Sequence, residues 1–165
     1  MTANDPDSLT ITNCISYVDR LAGTIGYEKF ILAFKNNLLN LFQTNDWRYK
    51  AAVLMIMSQI SEDISIDKIQ TFVSLITNSF ANEHPKVRFA TAHAIGQLAD
   101  DLKPEFQVKY FDEIFPLIIQ GLNDPVERCA SHWFACLTNF FEDFTDETKI
   151  APQLPFMIEA IEKRI

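Results

Sequence analysis

Two constellations of side chains in this sequence could do chemistry. Cys129, His132 and Cys136 stand at i, i+3 and i+7, which on one helix brings three soft donors towards a common face. His93 on a neighbouring helix could complete a four-ligand zinc set. Structural zinc is more often held by loops and paired knuckles, and a buried cysteine behaves as a small hydrophobe. These residues are therefore expected to pack, with no metal and no cofactor. The second constellation recurs. Ser58-Gln59-Ile60-Ser61-Glu62-Asp63, Gly96-Gln97-Leu98-Ala99-Asp100-Asp101 and Thr138-Asn139-Phe140-Phe141-Glu142-Asp143 each place a small residue, an amide, an apolar residue, a spacer and two acids in that order. Amide and first acid are three residues apart, so Gln59 with Glu62, Gln97 with Asp100, and Asn139 with Glu142 lie on one helix face about a turn apart. Asp63, Asp101 and Asp143 add a further charge to each pair. Such amides can hold a peptide backbone, and such carboxylates can hold lysine ammonium groups through charge-assisted hydrogen bonds. Helix stability does not explain the acids, because the macrodipole disfavours negative charge at a carboxyl end by roughly 0.3–1 kcal/mol apiece. The sequence has no Gly-rich phosphate loop, no nucleophile elbow and no Cys/His pair beside an orienting acid, so no enzymatic activity is expected.

The three motifs are separated by 38 and 42 residues, a mean period of 40 that signals a stacked helical repeat. The elements that must carry them follow from apolar spacing. Pro85 opens a helix in which Val87, Ala90, Ala94, Ile95 and Leu98 share one side, while Phe89, His93, Gln97 and Asp100 share the other. Inner helices are expected at about 8–22, 47–61, 86–102 and 126–144, and outer helices at about 27–42, 67–80, 105–122 and 147–164. Residues 1–7 read as a ragged, disordered or appended end. Asp46 is a good N-cap, Gly23 and Gly26 close the first helix, Pro116 is a potential kink, and Pro152 or Pro155 should bend or delay the last helix. No strand is expected. The fold class is all-α: a right-handed solenoid of about eight helices forming three and a half antiparallel pairs. Trp133 should be buried among Cys129, Cys136, Leu137 and Phe140. Ile11, Ile15 and Val18 at one end, and Phe156, Ile158 and Ile161 at the other, should leave apolar surface uncovered.

Composition limits the partners. Net charge of −8 and a pI near 4.8 exclude nucleic acid and anionic membrane as principal partners and favour a basic one. No apolar run reaches the roughly 18–20 residues that span a bilayer, and the polar start does not read as a signal peptide. Cys14, Cys129 and Cys136 are odd in number and sit in apolar-periodic segments, which points to three free thiols and a reducing compartment.

Each helix pair has the layout of a HEAT repeat, with Arg48, Arg88 and Arg128 placed 40 residues apart. Asp46-Trp47-Arg48-Tyr49-Lys50, His84-Pro85-Lys86-Val87-Arg88-Phe89-Ala90, Ala94-Ile95-Gly96-Gln97-Leu98 and Asn139-Phe140-Phe141-Glu142-Asp143 resemble the central HEAT repeats of the importin-β3 branch of the karyopherin-β nuclear transport receptors. The resemblance covers about Tyr17 to Ile165 in order and spacing. It implies a segment of a longer import receptor that shuttles between cytoplasm and nucleus, with inner helices lining a concave cargo surface and outer helices facing repeat-bearing nucleoporins. Nucleoporins and Ran GTPase are then partners of the full-length receptor, and nothing here corresponds to the family's Ran-binding amino-terminal region. The residues expected to hold basic nuclear-localisation segments of cargo are Gln59, Glu62, Asp63, His93, Gln97, Asp100, Asp101, Asn139, Glu142 and Asp143. The repeat pattern by itself also suits a HEAT scaffold or adaptor for another complex, such as a phosphatase scaffold.

Overall fold

The structure, a computed structural model, describes residues 6–61 and 64–164, with side chains from residue 16 onward. Helices α1 (Pro6–Ile25), α2 (Tyr27–Phe42), α3 (Trp47–Gln59), α4 (Gln70–Ser79), α5 (Pro85–Asp101), α6 (Glu105–Gly121) and α7 (Glu127–Phe141) follow one another through short connections, apart from the longer segment 60–69 between α3 and α4. The last pass is segmented into α8 (Glu147–Ile150), a 3₁₀ turn (Ala151–Gln153) and α9 (Leu154–Glu162). Pro152 and Pro155 sit at the starts of the last two pieces, where a missing N–H costs nothing. The described residues contain no strand.

Local chemistry sets the starts. The Asp46 side chain accepts the Arg48 N–H at 2.9 Å, and Asp146 accepts that of Thr148 at 3.1 Å. At α5 an imidazole takes this role: His84 Nδ1 accepts the Lys86 N–H at 3.2 Å, with Pro85 at the first helical position. Four boundaries depart from the spacing argument. α1 begins at Pro6, inside the segment expected to be a disordered end, and it runs through Gly23; the chain breaks at Gly26, whose φ of 93° suits glycine. α4 begins at Gln70 rather than near residue 67, because Ile64 and Ile69 are both buried and the chain between them turns to insert them. α7 ends at Phe141 rather than continuing to residue 144.

The odd-numbered helices form the tighter layer, with α5 packed most extensively against α3 on one side and α7 on the other. Small residues permit this. Ala90, Ala92, Ala94, Gly96 and Ala99 of α5 are all buried, and a Cβ on Gly96 would lie only 3.4 Å from the Cys136 backbone. Aromatic residues fill the space between layers: Trp133 is fully buried, Phe111 stacks on Phe115 and Phe144, and Phe140 packs edge-on or tilted against Phe106 and Phe115. Gly121 ends α6 against the face of Trp133, where a Cβ would come within 2.3 Å of the ring, so the indole is seated only over glycine.

One buried ion pair locks successive repeats. Arg88 on α5 donates from Nε to Asp124 at 2.7 Å and from a terminal nitrogen to the other carboxylate oxygen at 3.0 Å. Its remaining terminal nitrogen donates to the Asn82 and Glu83 carbonyls, both at 2.9 Å. Asp124 also accepts the Val126 N–H, and Arg164 donates to the Asp124 carbonyl at 2.6 Å, which ties down the end of the last helix. The three arginines spaced by 40 are thus not equivalent. Arg48 pairs with its own Asp46 in solvent and lies over the Trp47 ring, and Arg128 lies over the Phe89 ring.

Candidate functional site

On α5, Val87, Ala90, Ala94, Ile95 and Leu98 are buried, while Phe89, His93, Gln97 and Asp100 form a half-buried stripe at steps of three and four. α7 runs parallel beside it and offers Arg128, His132, Asn139 and Glu142 at matching heights. From the amino to the carboxyl ends, the two stripes meet rung by rung.

At the first rung Phe89 stacks on His132 with ring centroids 4.2 Å apart. His132 Nε2 stands 3.2 Å from His93 Nδ1, so one ring donates and the other accepts. Burial, reinforced by the charges of His93 and Arg128, pushes the His132 pKa down to about 4, and burial lowers that of His93 as well. Both imidazoles are neutral at pH 7. Cys129 and Cys136 do not join them. Cys129 donates to the Pro85 carbonyl, Cys136 is sealed in the core with its thiol pKa pushed up by burial, and both thiols are free. Among the described residues no three His, Cys, Asp or Glu side chains could hold a metal ion together. Cys14 lies outside the described side chains.

Further along, Asn139 donates across to the Gly96 carbonyl at 3.3 Å. Gln97 donates to Asp101 at 2.7 Å, and the Ser61 hydroxyl donates to the other oxygen of the same carboxylate. Gln97 thus bonds the second acid, at i+4, while Asp100, at i+3 on the same half-buried stripe, accepts from Lys103. The reason is Ser61, which reaches in from the end of α3 and fixes Asp101 from the far side. Gln59 makes a long bond of 3.4 Å to the Ser58 hydroxyl, and Glu62 and Asp63 lie outside the described residues.

The remaining acids converge on one cation. Lys103, in the α5–α6 turn, places its ammonium 3.2 Å from Asp100, 3.3 Å from Glu142 and 3.5 Å from Asp143. The hydrogen bond to Asp100, opposed by desolvation and supported by Glu142, raises the pKa of Lys103 above that of a free lysine. Asp143 reaches this point through its backbone. Phe141–Phe144 form a turn in which the Phe144 N–H bonds the Phe141 carbonyl at 3.2 Å, Glu142 is extended and Asp143 has a φ of 59°. That is the type II pattern, whose third residue is usually glycine or asparagine.

The structure therefore brings together Asp100, Asp101, Gln97, Asn139, Glu142 and Asp143 along one edge of α5 and α7, with His93 two turns away. Sequence reasoning missed Lys103 and Ser61. The signal was present: 39 residues, one repeat, separate Lys103 from Glu142, and 40 separate Ser61 from Asp101.

No protein-family model matches the chain. It is 25% identical over 159 residues to Importin subunit beta-3 of Saccharomyces cerevisiae, covering 94% of this chain and 14% of that protein. In fold it matches crystal structures of Kap121p bound to Pho4p and to RanGTP, each at 24% identity. The TM-scores are 0.87 and 0.88, over 96% and 97% of this chain and 16% of the Kap121p chain. The chain thus spans about one seventh of the length of the curated relative it matches. In sequence it is similar to Importin subunit beta-3, and in fold it matches the α-solenoid of Kap121p.

Proposed function

We propose that this chain is a cargo-binding segment of a nuclear import receptor, which holds extended, lysine-rich localisation segments along the carboxyl-terminal edge of its odd-numbered helices. The observation that carries the reading is the convergence of carboxylates from successive repeats, Asp100 with Glu142 and Asp143, on a single ammonium group. A surface that binds one lysine side chain in this way has the chemistry to bind others. The crowding of α3, α5 and α7 supports a concave odd-helix face, since a stack curves towards its tighter layer. Likeness to Importin subunit beta-3 and to Kap121p structures with Pho4p, RanGTP and Nup53p supports the wider role. That role is non-enzymatic transport between cytoplasm and nucleus, with nucleoporins and Ran GTPase engaged by the full-length receptor.

Within the site, Asp100, Glu142 and Asp143 contact cargo lysines. Asp101 is a positioning residue, because both its oxygens are engaged by Ser61 and Gln97. Fluorescence anisotropy with a labelled lysine-rich localisation peptide tests the reading. Replacing Asp100, Asp101, Glu142 and Asp143 by their amides should weaken binding about tenfold or more at low salt, and wild-type binding should fall steeply as salt rises. Equal affinities at low salt refute it.

A further inference from the structure

We propose that Lys103 is an internal competitor for the acidic row: it occupies the point where the carboxylates of α5 and α7 converge, and a lysine-bearing partner binds by displacing it. The inference rests on the reading given above. The row is not vacant. Asp101 already accepts on both oxygens, from Ser61 and Gln97, and the other three acids of these two rungs, Asp100, Glu142 and Asp143, all face the Lys103 ammonium within 3.5 Å. An ammonium has three N–H donors, and here three carboxylates from two helices surround one. This is the coordination an incoming lysine would need. Each carboxylate of these two rungs already has a partner, so entry at this point is an exchange.

The geometry makes exchange feasible. The Lys103 side chain is 29% exposed, and the side chains of Asp100, Glu142 and Asp143 are 45%, 56% and 69% exposed, so a second ammonium can approach the same oxygens from solvent. Lys103 sits in a turn rather than within a helix, on a flexible stem that can swing into water. Helix stability accounts for only part of its placement. A cation near the end of α5 suits that helix dipole, but Glu142 and Asp143 belong to the neighbouring repeat. The consequence is a threshold. A single lysine exchanges one ammonium for another with little gain, whereas a segment with several lysines adds contacts along the row that Lys103 cannot match.

The experiment titrates the same lysine-rich peptide against wild type, Lys103→Gln, Lys103→Arg and Lys109→Gln. Lys109 pairs with Asp67 on the even-helix side and controls for the loss of one positive charge. Folding of each variant is checked by circular dichroism. Lys103→Gln should bind about five- to tenfold more tightly than wild type at low salt, Lys103→Arg about as wild type, and Lys109→Gln with at most a small gain. In parallel, the NMR signal of the Lys103 ammonium should move to the position of a solvent-exposed lysine as peptide is added. A Lys103→Gln gain no larger than that of Lys109→Gln overturns the proposal while leaving the acidic site standing. Weaker binding by Lys103→Gln also overturns it, because Lys103 would then be arranging the carboxylates. Were the amide variant of the four acids to bind like wild type, the site itself would fall and this proposal with it.

Discussion

Removal of Arg88 should be among the most damaging single changes in the chain, and its cost follows from what it leaves behind. Asp124 has a side chain 4% exposed; without the guanidinium it keeps one hydrogen bond, from the Val126 N–H, and the weaker influence of the Arg164 charge. Breaking a buried pair by deleting one member typically costs about 3–5 kcal/mol, because the surviving charge is stranded away from water. Arg88→Ala also releases the Asn82 and Glu83 carbonyls that the same guanidinium ties to the start of α5. Arg88→Lys keeps the charge but not the fork, and should cost about 1–2 kcal/mol. A domain of this kind has only about 5–15 kcal/mol in total, so the alanine change should visibly lower the urea midpoint. The pH dependence has a defined sign. Burial pushes the Asp124 carboxyl up, but the hydrogen bonds from Arg88 and Val126 and the Arg88 charge outweigh this and leave its pKa lowered. The stability it contributes is therefore complete above the unfolded carboxylate value of 3.8 and is lost as pH falls through the lower folded value. Urea melts of wild type, Arg88→Ala, Asp124→Asn and the double variant form a cycle whose coupling reads the pair directly. The argument is refuted if Arg88→Ala costs less than about 1 kcal/mol, or if the two single changes add without coupling.

Three further outcomes follow from particular positions. Asp143 holds a left-handed backbone at a place suited to glycine, so Asp143→Gly should be at least as stable as wild type, while the β-branched Asp143→Val should lose about 1–2 kcal/mol; thermal melts decide, and a glycine variant less stable than the valine variant contradicts the turn assignment. The depressed His132 pKa means the unfolded chain takes up a proton that the folded chain refuses, so stability should decline as pH falls from about 6.5 to about 4; His132→Gln should flatten that limb in a pH series of urea midpoints, and an unchanged limb would show that other groups control it. Tyr17, Leu21 and Ile25 on α1, and Leu154, Phe156, Ile158 and Ile161 on α9, are exposed apolar side chains, so sedimentation should show concentration-dependent association that Phe156→Glu with Ile158→Glu weakens; a monomer at every concentration argues otherwise.

What was legible in the sequence divides along the range of the interaction involved. The partition of α5 into a buried side and a half-buried stripe is a local matter of helical period, and the structure buries Val87, Ala94 and Leu98 and leaves His93, Gln97 and Asp100 partly exposed, as the spacing predicts. Trp133 is buried for the same reason. The partner of Gln97 is another kind of fact. Both i+3 and i+4 acids were in reach, and the choice was made by Ser61, a residue 40 positions away, just beyond the carboxyl end of α3. The placement of Lys103 is of this second kind too, since nothing within a turn of it in sequence brings it to Glu142 and Asp143. In a solenoid such contacts are nonetheless predictable, because each repeat touches only its neighbours and the offset between touching residues stays close to the period. The period sets Asp100 near Glu142 and Asp143, and the three meet at one ammonium. Applied to every charged residue rather than to the acids alone, it would also have set Lys103 opposite Glu142 and turned an open acidic surface into one that already holds a lysine of its own.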